Sequence, residues 1–155
     1  MSQQAAFDFL VGNWNVHHRY LRRRLGDCTD WIEFPGTCSM HKILGGFANM
    51  DDGDIDHPSG RYAGVSLRTY NPEKESWSIY WLDSRYPGQI FPPVHGRFVA
   101  GIGTFEGDDM HDGHAIRVRF LWSRITPTSA RWEQAFLAGD GTDWETNWIM
   151  DFTRN

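Results

Sequence analysis

The chain has 155 residues and only two cysteines, Cys28 and Cys38. That excludes a disulfide framework, and the pair is expected to be free thiols in a reducing compartment. No stretch approaches the roughly 18 to 20 apolar residues that a membrane-spanning helix needs. The opening "MSQQAAFDFL" lacks a basic segment followed by an apolar one. No secretory leader is therefore read there, and a cytoplasmic location is expected. Positive charge is short as well. The net charge is −5 and the pI about 5.7, which disfavours nucleic acid as a partner, because phosphate binding wants a basic face. The run Arg22-Arg23-Arg24 is a local exception and is read as a solvated strand end.

Chemical motifs are also missing. There is no G-x-S-x-G, no phosphate-binding P-loop and no dinucleotide glycine pattern. His111-Asp112-Gly113-His114 offers two metal-capable side chains where structural zinc wants about four. Residues 51–57, "DDGDIDH", place Asp52, Asp54 and Asp56 at alternating positions, without the glycine and glutamate of a calcium loop. They are read as a solvated acidic loop. Neither a metal nor a cofactor is expected.

Tryptophan is plentiful, with eight residues in the chain. Tryptophan is large, and its N–H wants a partner when buried, so an aromatic interior containing some polar groups is expected. Helical periodicity is nearly absent. Only a short helix, capped by Ser2 and running to Leu10, is suggested. Alternation of period two recurs instead. It marks strands at about 13–22, 31–41, 44–51, 61–70, 76–84, 94–100, 102–107, 114–125, 129–138 and 144–154. "YNPEKES", "ITPTSA" and "AGDGTD" supply turn chemistry between them. Short connections make sequence neighbours pair antiparallel. The expected fold is therefore all-β: one domain, 1–155, forming an up-and-down antiparallel β-barrel of about eight to ten strands. Closure would remove the exposed edges of so large a sheet.

The alternation also assigns faces. It puts Trp14, Val16, His18 and Tyr20 inward, then Trp77, Ile79, Trp81 and Asp83. Ile116, Val118, Phe120, Trp122 and Arg124 follow, with Trp132, Gln134 and Phe136, and with Trp144, Thr146, Trp148, Met150, Phe152 and Arg154. All the tryptophans but Trp31 then share one inner surface. Outward, Tyr80, Leu82, Leu121 and Leu137 suggest a partner surface, most simply that of a homodimer.

"FLVGNWNV" places Gly12, one spacer and Trp14 at the start of the first strand, after a short apolar helix. With Arg154 in the closing "MDFTRN", it resembles the calycin superfamily of lipocalins and intracellular fatty-acid-binding proteins. The resemblance is to an outlying, largely uncharacterised bacterial branch. It implies a barrel whose base is plugged by Trp14 with Arg154 packed over the indole, and an internal cavity. It implies no catalytic residue. The Thr-Asp-Tyr motif of lipocalins is missing, and the ten residues from Leu21 to Asp30 leave no room for a helical lid.

Binding pockets are mostly apolar with a few placed polar groups. The expected lining is His18, Trp77, Trp81, Asp83, Trp122, Arg124, Trp132, Gln134 and Trp148. His18 could serve as general base, hydrogen-bond donor or haem ligand. Arg124 could meet a ligand carboxylate, or instead pair with Glu133 or Asp83. Three functions stay open. One is binding of a small hydrophobic or aromatic molecule. Another is a cofactor-free lyase, isomerase or cyclase working through His18 and Asp83. The third is an interaction module whose barrel is filled by its own side chains.

Overall fold

The computed structural model describes residues 2–155. Ten antiparallel strands follow one another around a closed barrel. They are β1 (Gly12–Leu21), β2 (Trp31–Ile43), β3 (Ala48–Ile55), β4 (Tyr62–Asn71), β5 (Ser76–Asp83), β6 (Val94–Val99), β7 (Ile102–His111), β8 (His114–Ser123), β9 (Ser129–Ala138) and β10 (Glu145–Arg154). Each pairs with its sequence neighbours, and β1 closes the ring by pairing with β10 as well as β2. Among the described residues no helix is long and apolar enough to cross a membrane. Cys28 and Cys38 are free thiols, Cys38 buried.

The expected N-terminal helix is two 3₁₀ turns, Gln3–Ala5 and Asp8–Leu10. Ser2 Oγ accepts from the Ala5 amide and caps the first turn. These turns carry Phe7 and Leu10 into one end of the barrel, where both are almost fully buried. The plug is held by named bonds. Trp14 Nε1 donates to the Leu10 carbonyl at 2.8 Å, and Trp77 Nε1 donates to the Gln3 carbonyl at 2.8 Å. Gln3 in turn exchanges bonds with the Phe98 backbone. Phe7 meets Trp77 edge-on at 5.2 Å and Phe98 at 5.0 Å.

Trp14 lies opposite Arg154 in the β1–β10 register. The Arg154 guanidinium stands 4.0 Å from the indole centroid. It donates to the carbonyls of Val11 and Phe9, and more weakly to that of Pro127. Arg154 itself is exposed, so it seals the base from outside while the indole fills it from within. Gly12 has φ +118°, and a Cβ there would meet Arg154 Nη1 at 2.6 Å. That close approach is why glycine precedes the strand.

Two expected boundaries shift. Leu44 and the glycines Gly45 and Gly46 all take positive φ and form a 3₁₀ turn. This delays β3, so residues 51–55 are strand and not acidic loop. Alternation then turns Asp52 and Asp54 outward, where Asp54 pairs with Arg61. Asp51 faces inward and is buried. At the other end of the chain, a bulge between Thr146 and Trp148 breaks the phase of β10. Trp144 therefore misses the interior and lies under the Arg119 guanidinium, 4.6 Å from its centroid. Six tryptophans face inward, not the seven that alternation places there: Trp14, Trp77, Trp81, Trp122, Trp132 and Trp148. Tyr80, Leu82, Leu121 and Leu137 are half-buried on the wall. The largest exposed apolar side chains lie at the barrel ends, among them Leu44, Ile90, Val99 and Met110.

Replacing Trp14 by alanine empties the fully buried plug position. It is expected to cost about 3 to 5 kcal/mol in chemical denaturation, as large-to-small aromatic core changes do. Arg154→Ala removes the stacked cation and should cost about 0.5 to 2 kcal/mol. A Trp14→Ala loss below about 1 kcal/mol would show that the indole is not the plug.

Candidate functional site

Above the plug the barrel is hollow. A cavity of about 1030 Å³ runs from Trp122 near the base to the opposite mouth. Ligand pockets are typically roughly 300–1,000 Å³, so the interior is not filled by its own side chains. The lining is mixed in chemistry. Trp132 and Trp148 stand on the adjacent strands β9 and β10, and Trp81 reaches toward them from β5, across the ring. Trp148 meets Trp132 edge-to-face at 5.2 Å and Trp81 at 5.9 Å. β2, β3 and β4 add small and polar groups, including Cys38, Asp51, Gly53, Gly64 and Ser66. Gly64 is required there, since a Cβ would fall 2.0 Å from Trp81 Cη2. The indole lies flat across the glycine and thereby enters the cavity.

His18 is 2% exposed. Its Nδ1 accepts from Trp148 Nε1 at 3.1 Å, and its ring stacks on Phe34 at 5.0 Å. Burial, helped by His17 and His57, lowers its pKa to about 4. The ring is therefore neutral at pH 7, with its proton on Nε2. That nitrogen lies against the β2 backbone, 2.7 Å from where a Cβ of Gly36 would stand. Nδ1 is thus committed to orienting Trp148, while Nε2 forms no hydrogen bond among the described residues and His18 stands in the cavity lining.

Asp83 is also buried and on the cavity wall. Burial works to raise its pKa, but the hydrogen bonds from Arg85 win and hold it below the ordinary carboxylate value. Arg85 Nη2 stands 2.8 Å from Oδ2, Arg85 Nε 3.0 Å from Oδ1, and Trp81 Nε1 donates at 3.3 Å. Asp83 is a fixed anion and not a poised acid. Gln134 lies in the lining and donates to Asn147 Oδ1 at 2.8 Å.

The cavity thus gathers His18, Trp81, Asp83, Trp122, Trp132, Gln134 and Trp148 of the expected lining. Two expected residues lie elsewhere. Trp77 is part of the base plug under Phe7. Arg124 is exposed, one residue past the end of β8, with φ +52°. The left-handed turn ends the alternation that would have carried it inward, and it pairs with neither Glu133 nor Asp83.

Sequence reading missed the charged floor and rim. Arg68, 2% exposed, pairs with Asp51 and donates to Asn49 Oδ1 at 2.8 Å. The phase Tyr62, Gly64, Ser66, Arg68 along β4 carried that signal, whereas Asp51 was hidden by the misplaced start of β3. At the mouth, Arg24 folds inward over Tyr20, 4.4 Å from its centroid, so the arginine run is not wholly solvated. Arg85 lies over Tyr62 at 3.7 Å. It belongs to the connection between β5 and β6, for which no periodicity exists. Among the described residues no cluster of three or more His, Cys, Asp or Glu side chains is placed to hold a metal.

No protein-family model matches the chain, and no curated protein matches it in sequence. Among solved structures the barrel is similar to that of the S-type phycobiliprotein lyase CPES from Guillardia theta. The TM-score is 0.66 at 12% identity, covering 100% of this chain and 93% of that one. A protein of unknown function from the DUF3598 family of Nostoc punctiforme also aligns, at a TM-score of 0.41 and 9% identity. It covers 96% of this chain and 48% of that one. The first likeness is one of fold: a calycin-like ten-stranded barrel.

Proposed function

We propose that this protein, an outlying member of the calycin superfamily, binds a compact hydrophobic or aromatic molecule inside the barrel. The observation that carries the reading is the hollow interior lined by Trp81, Trp132 and Trp148. Indoles held edge-to-face leave ring faces for a planar guest, and each such contact adds about 0.5 to 1.5 kcal/mol beyond burial. The neighbouring fold is that of a phycobiliprotein lyase, which is compatible with a guest-holding barrel. The engagement of His18 and Asp83 by their own partners favours binding over acid–base catalysis.

A panel of naphthalene and anthracene carboxylates and their methyl esters, titrated against the protein, should quench tryptophan fluorescence with saturation. Trp148→Leu should weaken the members that bind by about tenfold, equivalent to about 1.4 kcal/mol. Failure of every member to bind would remove the reading.

The buried neutral His18 also fixes a pH dependence. Its folded pKa, about 4, lies below the unfolded value of about 6.5, so the unfolded chain binds the proton first. The stabilisation is complete above about pH 6.5 and is lost as pH falls toward 4, to a total of about 3 kcal/mol. Urea denaturation from pH 7.5 to 4 should show this fall. His18→Gln should flatten it by that amount relative to wild type.

A further inference from the structure

Among the described residues, the mouth of the cavity holds a buried guanidinium that no carboxylate pairs with. Of the arginines lining the cavity, Arg22 pairs with Asp30, Arg68 with Asp51 and Arg85 with Asp83. Arg23 is exposed to solvent. Among the described residues Arg24 has no carboxylate partner, and its Nη2 is buried with no hydrogen-bond partner. The guanidinium is wedged between the Tyr20 ring at 4.4 Å and the Phe136 ring at 5.3 Å. A second orphan lies close by. Tyr62 is 4% exposed, and its hydroxyl is also buried without a partner, beneath the Arg85 guanidinium. Burial pulls the Arg24 pKa below the usual guanidinium value; Tyr20 and Tyr62 act against this and Arg85 with it. A desolvated cation beside a second cation is unfavourable by itself, and a guanidinium is shaped to receive a carboxylate.

We propose that the rim formed by Arg24 and Arg85 is a carboxylate site, and that the guest of the barrel is a planar hydrophobic or aromatic carboxylic acid. The proposal rests on the barrel's being a binding site. Asp83 is taken up by Arg85, so a guest carboxylate would be received chiefly by the Arg24 guanidinium, whose buried Nη2 has no partner of its own. The spacing suits an acid carried directly on the ring system. Tyr20, which lies under Arg24, meets Trp148 at 5.4 Å, so the rim is one aromatic ring away from the tryptophan lining. The guest would enter ring first and keep its carboxylate at the mouth.

The probes are 2-naphthoate and methyl 2-naphthoate, read by fluorescence quenching and by the shift in thermal midpoint. Wild type should bind the acid at least tenfold more tightly than the ester. Arg24→Gln should cost the acid at least tenfold and the ester less than twofold, and should abolish the extra thermal shift that the acid gives. Arg85→Gln, which also frees Asp83, should lower acid affinity in the same direction and keeps the test alive if Arg24→Gln does not fold. Arg61→Gln, an exposed arginine on the outer wall, should change neither. Ester binding equal to acid binding, or equal losses for both in Arg24→Gln, overturns the anion site and leaves aromatic binding standing. No binding by either probe in wild type overturns both.

Discussion

Pairing of β1 with β10 is the constraint on which the rest of the molecule depends. It joins the two ends of the chain, removes the sheet's last free edges and turns one face of every strand inward. The register of that pairing puts Arg154 opposite Trp14. The same contact seals the base, because the indole donates to the Leu10 carbonyl and the guanidinium caps the turn at Phe9 and Val11. With the base closed by aromatic packing, any opening must lie at the other end. The cavity and its charged rim are both consequences of that asymmetry.

The cavity exists because the inner faces are unequal. β5, β9 and β10 send indoles inward, while β3 and β4 send Gly53, Gly64 and Ser66. Indoles that meet across the ring, as Trp81 and Trp148 do at 5.9 Å, would fill a narrow barrel. A ten-stranded ring is wide enough that they do not, and a volume of about 1030 Å³ is left. The buried pair Arg68–Asp51, with Asn49, sits in this interior where a purely packing core would carry aliphatic residues. Such a pair is weak evidence for stability, since desolvation can exceed the Coulomb gain. Its partners satisfy most of its hydrogen-bonding capacity while keeping part of the cavity polar.

The two side chains read as acid–base candidates each hold a neighbour in place. His18 holds Trp148 in place, and Asp83 holds Arg85 at the rim. Both therefore shape the cavity by positioning the groups a guest would touch.

Most of the aromatic lining was legible from alternation, strand order and antiparallel pairing from alternation with the turn chemistry, and the Trp14–Arg154 contact from the resemblance to calycins. Side-chain direction in a strand has a fixed period of two, so phase carries from one residue to the next without tertiary information. That rule stops wherever the backbone leaves the extended region. Left-handed residues at Leu44 and Arg124 and the bulge after Thr146 each broke the phase, which is why β3 started late, Arg124 fell outside and Trp144 turned away. The charged rim had no period to read at all. Arg24 and Arg85 come from connections far apart in sequence and meet around Tyr20 and Tyr62 only because closure brings the end of β1 and the end of β5 to one mouth. The volume of the interior was decided there too, since it depends on which side chains face each other across the ring, and only the closed register fixes that.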